Sequence, residues 1–473
     1  MKKIKAIFLF LAVFLAIGLA APQARALDTT DQSVTSGCHS VDAVVSLSDS
    51  GQLTQTAKAV IVYELNSDTM IYTWNPDGKI YPSSMVKLMT ALVAIENGNL
   101  DDKVVVTKRA LSYVQIGSVS AELVAGEELT LEDLLYCMMA ASANDAAVVI
   151  AEHIGGTQDG FVDMMNQRAQ ELGCTGTHYS NAHGLHDEET YTTARDVCRL
   201  LDTALENETF RTLFSAKTYT VPATNKSEER TIHTSNYMMS NAVDKRYLDD
   251  RVTGGKTGAT TEAGRCLAAT AEGGGMDVLT IVMGAEATYE EGGLSLKTFG
   301  SFEETTTLLD YVFENFEYRQ IFSDGQTISQ FSVENGANSV VTRPEKTAST
   351  VLPVDLDESK LTWIYGDTTA AVTAPVAEGQ KLSTIQVWYG SKCLAQSDLV
   401  AANAVAVYQA PVTPEVPDTE DDSGSWTLLL WICLGIAGVV LLINLVNLAR
   451  KGIRKARLNA RRRRRRENRR RSR

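Results

Sequence analysis

The apolar positions of the chain follow strand and helix periods in separate stretches. Alternating, β-rich sequence at 57–64 and 70–74 flanks the turn residues Asn66-Ser67-Asp68, and this pattern predicts a β-hairpin. Residues 83–97 then repeat apolar side chains with helical spacing, and Gly98 follows as an end signal. The chain therefore begins its folded part with two strands and continues into a helix.

Helical patterns dominate from about 108 to 210, and strand patterns return after them. The predicted elements are helices at 131–141, 145–154 and 160–172, strands at 265–271 and 277–283, and a long amphipathic helix at 301–316. Strands on both sides of a helical region are typical of an α+β fold, in which an antiparallel sheet lies beside a helical cluster. We predict one such domain over 27–318.

A change in the pattern of apolar and turn residues marks a second domain. Short runs of Val, Thr and Ile between 319 and 408 are broken by Asp-Gly, Asn-Gly and proline, with no helical period. This pattern predicts a small all-β domain. The segment 409–425 combines three prolines with an acidic run, a composition that favours a stiff, solvated stalk.

The first 26 residues have the features of a secretory signal peptide. A basic start and an apolar run precede Ala24-Arg25-Ala26, which has the small residues that signal peptidase requires. An uncleaved membrane anchor is the alternative. Because the apolar run is short and a cleavage site follows it, we expect cleavage.

A second apolar segment, 426–449, contains no charged side chain. About 20 apolar residues in a helix span a bilayer core, so this segment predicts one transmembrane helix. The tail 450–473 is rich in arginine and belongs in the cytoplasm by the positive-inside rule. We therefore expect a single-pass protein of the cell membrane whose catalytic body is extracellular. The alternative is a nucleic-acid site, but such a tail beside a membrane helix more often binds anionic lipid.

Charge and cysteine content narrow the possible partners. The tail carries fourteen net positive charges and residues 1–26 carry four, so the remaining chain must carry −32 for the total of −14. A body this acidic predicts no nucleic-acid partner.

The seven cysteines form no C-x-x-C pair or Cys/His cluster, so we expect no metal and no cofactor. Most of them should be buried free thiols, although a disulfide or two would be possible outside the cell.

The first chemical motif is Ser84-Met85-Val86-Lys87. Ser84 falls at the start of the predicted helix, where unsatisfied backbone N–H groups favour negative charge. Lys87 lies on the same face one turn later and can reach the Ser84 hydroxyl. Burial and a second lysine, Lys256, would both favour its neutral amine, which could then activate Ser84 as a nucleophile. Taken alone, this motif is better explained by a helix-cap serine beside a lysine that extends to solvent.

Two further motifs follow along the chain. Ser142-Ala143-Asn144 lies between two predicted helices, where the Ser142 hydroxyl can relay a proton and the Asn144 amide can bind a substrate carbonyl. Lys256-Thr257-Gly258 is flanked by glycines and predicts an edge strand that a substrate backbone can approach closely. There Lys256 and Thr257 would bind a terminal carboxylate. An ordinary cap cluster and a glycine-rich turn are the structural alternatives.

Together the three motifs resemble the signature of penicillin-binding proteins and serine β-lactamases. More specifically, the chain resembles the D-alanyl-D-alanine carboxypeptidases of low molecular mass over roughly 55–318. The resemblance rests on Pro82-Ser83-Ser84-Met85-Val86-Lys87-Leu88-Met89-Thr90, Ser142-Ala143-Asn144-Asp145-Ala146, Asn181-Ala182-His183-Gly184-Leu185, Thr193-Ala194-Arg195-Asp196, and Gly255-Lys256-Thr257-Gly258-Ala259-Thr260 with Ala263-Gly264.

The resemblance implies a reaction and its site. Ser84 would attack the bond between two D-alanines of a peptidoglycan stem peptide, form an acyl-enzyme and release D-alanine. The implied catalytic residues are Ser84, Lys87 and Ser142, and the implied substrate-binding residues are Asn144, Lys256, Thr257, Gly258 and Ala259. Backbone N–H groups of Ser84 and Ala259 would form the oxyanion hole. β-Lactam antibiotics would be covalent inhibitors, and the β domain would serve as a spacer or docking module.

The chain departs from this family at two places. Relatives often carry a larger residue where this chain has Ala259, and some have an arginine near position 301 that helps to hold the substrate carboxylate, where this chain has none. Terminal-carboxylate binding would then rest on Lys256 and Thr257. Endopeptidase activity and a serine β-lactamase stay open as alternatives, as does a cell-wall-binding spacer without activity. His183 lies in a family motif without a Gly-x-Ser-x-Gly elbow, so we expect it to be structural.

Overall fold

The computed structural model describes residues 53–54, 56–240, 244–289, 296–366, 371–390, 392–409, 429–448 and 450–451. The predicted signal peptide, nearly all of the stalk and nearly all of the basic tail lie outside the described residues. The chain divides into two compact units, 1–408 and 409–473, which are treated separately below.

Each predicted helix is present, and three more lie in the region from 108 to 214 that had only a general helical pattern. The helices are α1 (Val86–Asn97), α2 (Lys108–Leu111), α3 (Leu131–Met139), α4 (Asn144–Gly155), α5 (Gln158–Glu171), α6 (Ala194–Ala204), α7 (Glu208–Phe214), α8 (Gly300–Asn315) and the separate apolar helix Leu429–Leu448. Short 3₁₀ turns occupy Ser83–Met85, Lys245–Tyr247 and Glu358–Lys360.

Most strands fall before and after the helical cluster, and β3 and β4 lie between its helices. Those of the first part are β1 (Ala59–Glu64), β2 (Thr69–Trp74), β3 (Lys103–Val105), β4 (Glu128–Thr130), β5 (Thr218–Val221), β6 (Arg230–His233), β7 (Val252–Thr260), β8 (Gly264–Gly273), β9 (Met276–Ala285), β10 (Ala287–Tyr289) and β11 (Leu296–Phe299). Those after α8 are β12 (Phe316–Phe322), β13 (Ser329–Phe331), β14 (Val333–Glu334), β15 (Val340–Pro344), β16 (Ala348–Pro353), β17 (Leu361–Tyr365), β18 (Val372–Thr373), β19 (Lys381–Tyr389) and β20 (Lys392–Ala401).

A five-stranded antiparallel sheet of order β2-β1-β9-β8-β7 forms the centre of the first part. The predicted hairpin is confirmed as β1 and β2, and the predicted edge strand is confirmed as β7. Side chains alternate between two cores, because successive residues of a strand point to opposite faces. Ile61 and Ile281 face the helical cluster, whereas Val60 and Val282 face α8.

Helix α1 runs through the middle of the helical cluster. Every residue from Val86 to Ala94 is buried, so this helix has no solvent-exposed face over that stretch. Helix α3 begins with a capping box between Thr130 and Asp133, and Leu134 and Leu135 of the same helix are buried in the core. The rigid cluster fixes the start of α1 against the sheet, and the first chemical motif lies at that start.

The second β-rich region follows α8 directly, since Phe316 both ends the helix and begins β12. Strand β12 pairs with β16, and a five-stranded sheet of order β13-β15-β20-β19-β17 lies beyond it. Val351 of β16 belongs to the core on the α8 side of the central sheet, and the Thr69 and Thr350 hydroxyl oxygens lie 3.0 Å apart. The β-rich region is therefore packed against the central sheet.

Four cysteines are buried free thiols, as expected, namely Cys137, Cys174, Cys198 and Cys266. Cys393 is disulfide-bonded, which the sequence allowed without indicating. In the second unit, Leu429–Leu448 is long and apolar enough to span a membrane.

Replacing Thr130 with alanine should destabilise the protein through loss of the α3 cap. The Thr130 Oγ1 accepts from the Asp133 N–H at 3.0 Å, so removing it leaves that donor without its partner. We expect the free energy of unfolding to fall by about 1 kcal/mol in denaturant titration. Thr307→Ala is a matched control, because that exposed hydroxyl lies within α8 and caps nothing; an equal loss in the control would contradict the capping assignment.

Candidate active site

Ser84 lies in the 3₁₀ turn Ser83–Met85 that leads into α1. The N-terminal cap residue of α1 is Met85, and no side chain caps this helix. The Ser84 hydroxyl is therefore not used as a helix cap, which removes the structural alternative for this motif. Ser83 and Met85 are buried on either side, and Ser84 keeps partial exposure toward the cleft.

The Lys87 amine is fully buried one turn after Ser84. The Lys87 Nζ lies 3.1 Å from the Ser84 Oγ and 2.7 Å from the Asn144 Oδ1, and it also contacts the backbone carbonyl of His183. In its neutral form the amine donates to the Asn144 and His183 oxygens and accepts from the Ser84 hydroxyl. All three partners are uncharged. Burial, and then the charge on Lys256, hold the pKa of the Lys87 amine well below its ordinary value. The neutral amine, which can accept a proton, is favoured as the sequence predicted.

Ser142 and Asn144 reach the cleft from the tight connection between α3 and α4. Ser142 adopts a left-handed backbone conformation with φ of 64°, which turns the chain sharply before Asn144 opens α4. Both side chains are buried. Because the Asn144 Oδ1 accepts from Lys87, its amide nitrogen remains the end available for a substrate carbonyl.

Lys256 reaches the same cleft from the edge strand β7. Its amine is buried and donates to the Ser142 Oγ at 2.8 Å and to the Thr257 carbonyl at 3.0 Å. Burial lowers the pKa of Lys256 to about 7. The structure therefore brings Ser84, Lys87, Ser142, Asn144 and Lys256 into one cleft between α1, the α3–α4 connection and β7.

The residues after Lys256 line the open edge of β7. The Thr257 Oγ1 lies 2.7 Å from the Ser235 Oγ, so two hydroxyl groups meet there. Gly258 faces the nucleophile turn, and a Cβ at this position would lie 3.0 Å from the Pro82 carbonyl oxygen. Ala259 is exposed beside it. A residue larger than glycine at 258 would push β7 away from Ser84, which explains the small residue.

A turn at Asn181–Leu185 contacts both Lys87 and the nucleophile turn, and the sequence did not predict these contacts. The His183 carbonyl accepts from Lys87, and the Ala182 carbonyl accepts from the Thr90 hydroxyl at 2.7 Å. Gly184 has φ of 80°, and a Cβ there would lie 2.1 Å from the Ser83 carbonyl oxygen. Only glycine fits this contact. The sequence analysis identified the Asn-Ala-His-Gly-Leu run, but it could not predict the contact between the His183 carbonyl and Lys87.

The His183 ring does not serve as a base for Ser84. Its Nδ1 accepts from the Leu185 N–H at 3.0 Å, and burial together with the charge of Lys87 lowers its pKa to about 4. The ring thus holds its own turn in shape, as expected for a structural histidine. Within the described residues, no cluster of three His, Cys, Asp or Glu side chains could hold a metal ion.

Asp145 and Ser235 have contacts in the site that the sequence did not indicate. The contact of Ser235 with Thr257 is described above. The Asp145 carboxylate accepts from the backbone N–H groups of Ala121 and Leu123 and from the Ser120 hydroxyl. It thereby ties the loop before β4 to the start of α4, where Asn144 lies. Asp145 directly follows the Ser-x-Asn motif, and this position was the one sequence signal for its role. The sequence could not show its partners, because they are more than twenty positions away.

Comparison with known proteins gives two family matches. Residues 46–287 match the family described as Peptidase S11, D-alanyl-D-alanine carboxypeptidase, and residues 316–407 match the penicillin-binding protein 5 C-terminal domain. D-alanyl-D-alanine carboxypeptidase DacF of Bacillus subtilis is 29% identical over 361 residues, which cover 74% of this chain and 86% of the relative. A D-alanyl-D-alanine carboxypeptidase of a Streptomyces species is 34% identical over 240 residues, 48% of this chain and 81% of the relative.

Solved structures agree with these matches. Penicillin-binding protein 5 from Haemophilus influenzae superposes with a TM-score of 0.59 at 28% identity, covering 74% of this chain and 98% of that one. The predicted fold, a penicillin-binding-protein-like domain followed by an all-β domain, is confirmed.

Burial of Lys256 should make the protein less stable near neutral pH than its Lys256→Met variant. The folded pKa lies near 7 and the ordinary value is 10.5, so between them the unfolded chain binds one more proton than the folded protein. The free energy of unfolding that Lys256 contributes should therefore rise with pH across this window, by up to about 1.4 kcal/mol per pH unit. The stability advantage of the variant should shrink accordingly in denaturant titrations from pH 7 to pH 9.5. A constant difference would contradict the lowered pKa.

Proposed function

The chain belongs to the D-alanyl-D-alanine carboxypeptidase family, and we propose that it removes the terminal D-alanine from peptidoglycan stem pentapeptides through an acyl-enzyme on Ser84. The observation that carries this proposal is the buried Lys87 amine, 3.1 Å from the Ser84 Oγ and bonded only to uncharged groups. A base in this state can activate a serine without histidine.

Acylation begins when the Lys87 amine takes the proton of Ser84. The Ser84 Oγ then attacks the carbonyl carbon between the two D-alanines, and the backbone N–H groups of Ser84 and Ala259 donate to the oxyanion that forms. Such preorganised donors stabilise a tetrahedral intermediate more than the ground state. The Asn144 amide nitrogen holds the substrate backbone in register.

The C–N bond breaks when the departing amine receives a proton. The Ser142 hydroxyl delivers it, and Lys256 at 2.8 Å polarises that hydroxyl. The proton taken by Lys87 passes to the amine by way of Ser142, so Lys87 ends this step neutral. Lys87 then takes a proton from water, whose oxygen attacks the ester, and gives that proton to the Ser84 oxygen as the ester bond breaks and the shortened peptide leaves.

The leaving D-alanine carries the substrate carboxylate. Positive charge from Lys256 and the paired hydroxyls of Thr257 and Ser235 favour its position at the edge of β7. Penicillin resembles this terminus, so β-lactams should acylate Ser84 and persist as covalent inhibitors.

Two other activities of the same fold remain as alternatives. A DD-endopeptidase would cleave the D-alanine bond of a cross-link and separate two stem peptides without releasing free D-alanine, and a serine β-lactamase would hydrolyse nitrocefin rapidly. No Glu-x-x-Leu-Asn run, which would position a deacylating water, lies between Asn144 and Lys256. A wall-binding spacer without activity is disfavoured because the complete hydrogen-bonded cluster is present.

The cellular setting follows from the chain ends. We propose that Leu429–Leu448 crosses the cell membrane once, with the basic tail in the cytoplasm and the catalytic domain outside. Its length and apolar character support the span, and the charge of the tail supports the orientation. Peptidoglycan stem peptides are then the partner that the site can reach.

Replacing Ser84 with alanine should abolish D-alanine release from a pentapeptide and labelling by fluorescent penicillin. Ser83→Ala is a matched control in the same turn, because the Ser83 hydroxyl is buried without a hydrogen-bond partner in the described structure. The control should retain both activities within about threefold, as expected for a side chain outside the chemistry. D-Alanine release by Ser84→Ala equal to that of the unaltered protein would refute the proposal. If the unaltered protein instead cleaves only cross-linked dimers to monomers, it would be an endopeptidase.

Replacing Lys87 with methionine should slow acylation by about 10²- to 10⁴-fold, the usual contribution of a general base. The side chain keeps its length and its burial, so the fold should be retained. Penicillin acylation of the unaltered protein should rise with pH and reach its plateau well below pH 10.5, because the lowered pKa of Lys87 gives the neutral amine at lower pH than an ordinary lysine. Rates of labelled-penicillin binding across the pH range in which the protein stays folded measure this profile, and a midpoint at the ordinary lysine value of 10.5 would contradict it.

A further inference from the structure

Arg265 lies half-buried at the start of β8, and its guanidinium group has no ion pair or hydrogen bond among the described residues. The guanidinium carbon lies 5.4 Å from the centre of the Phe299 ring. By contrast, Arg230, another half-buried arginine, pairs with the Glu127 carboxylate at 2.9 Å. A guanidinium group that is partly shielded from water and has no carboxylate partner is available to bind an anion.

The pairing of β7 with β8 shows which face of the sheet Arg265 shares. Thr257 pairs with Leu267, which is buried in the core on the α8 side. Ala259 pairs with Arg265. Directly paired residues point to the same face, and faces alternate along each strand, so Thr257, Ala259 and Arg265 share the α8 side. Gly258, between Thr257 and Ala259, faces the nucleophile turn on the other side, as this alternation requires.

The same pairing brings Arg265 close to the paired hydroxyls of Thr257 and Ser235. Arg265 is two positions before Leu267, the direct partner of Thr257, so it is the diagonal neighbour of Thr257. Diagonal neighbours on one face are about 7–8 Å apart, a distance that a long side chain can cross. The proposed function puts the substrate carboxylate at this hydroxyl pair.

Aromatic contacts show the direction in which the Arg265 side chain extends. Phe299, which lies under the guanidinium group, makes an edge-to-face contact with the Tyr237 ring, with centres 5.5 Å apart. Tyr237 follows Ser235 by two positions, and the Ser235 hydroxyl contacts Thr257 of β7. The side chain therefore extends from β8 toward the segment that carries Ser235, on the β7 side.

A cavity of about 500 Å³ opens at this end of the sheet, and both Ala259 and Arg265 line it. Glu286 lines the cavity as well, and no ion pair joins its carboxylate to Arg265 in the described part of the chain. A ligand that enters beside Ala259 can therefore reach the guanidinium group without displacing a protein carboxylate.

The cleft needs such a cation because Lys256 is a weak one. Its buried amine already donates to the Ser142 Oγ and to the Thr257 carbonyl, and burial lowers its pKa to about 7. Near neutral pH, about half of the molecules would therefore carry no charge on this amine. An arginine stays charged and can donate two parallel N–H bonds to one carboxylate.

We propose that Arg265 binds the terminal carboxylate of the substrate from the α8 side of β7, together with the hydroxyls of Thr257 and Ser235. This assignment rests on the proposed function, since acylation of Ser84 fixes which end of the peptide lies at Thr257. Arg265 acts on binding and on the orientation of the scissile bond, and it takes no part in the proton transfers. Selection of a chain end over an internal peptide bond then depends on a residue outside the three motifs.

The test compares release of D-alanine from a soluble pentapeptide with release of D-alaninamide from the same peptide with an amidated C-terminus. Arg265→Met should lower kcat/KM for the free acid by about tenfold or more, as expected for loss of a charge-assisted hydrogen bond. The value for the amide should stay unchanged, and Arg265→Lys should restore part of the loss. An equal fall for both peptides, or no fall for either, would overturn the assignment. Cleavage of neither peptide by the unaltered protein would instead overturn the proposed function, and the assignment with it.

Acylation of Ser84 by benzylpenicillin and by its methyl ester gives a second comparison, because the ester lacks the carboxylate. Arg265→Met should slow acylation by the acid and not by the ester. Arg343→Met is the matched control, since Arg343 is also a half-buried strand arginine without an ion pair in the described structure, but lies in the β-rich region. It should leave the ratio of the two rates unchanged. An unchanged ratio in Arg265→Met would overturn the assignment even if that variant is fully active.

Discussion

The whole active site depends on keeping one lysine amine out of water and away from carboxylates. Lys87 meets this condition because three separate parts of the chain supply uncharged oxygen atoms to it: the turn before α1, the start of α4 and the His183 carbonyl. A carboxylate in any of these places would stabilise the ammonium form and remove the base. The helical cluster and the sheet are arranged around this requirement, with α1 buried from Val86 to Ala94.

Such a site is costly to fold. Lys87 and Lys256 are two of the largest fully buried side chains in the described structure, and both must give up hydration that they keep in the unfolded chain. The surrounding apolar core offsets this cost. Stability and reactivity are therefore in opposition here, as expected where strain and burial serve a function.

Much of this could be predicted from the sequence, because the decisive patterns are local. The hairpin, the edge strand and the spacing of Ser84 and Lys87 each depend on a few neighbouring residues. The His183 carbonyl and the Ser235 hydroxyl could not be predicted, because their roles depend on loops that meet only after folding. A backbone carbonyl carries no residue-type signal at all. The limits of the predicted domains and the roles of the site residues stay predictions.

The direct passage from α8 into β12 at Phe316 has a mechanical consequence. No linker separates them, and the contacts of Thr350 and Val351 join the β-rich region to the central sheet. A pulling force on the β-rich region would therefore reach the central sheet through the β12–β16 pair and its contacts with β2, and would not be taken up by a flexible linker. Such a force would enter the central sheet at β2, the edge opposite β7, so three strands separate the loaded strand from the one that lines the cleft.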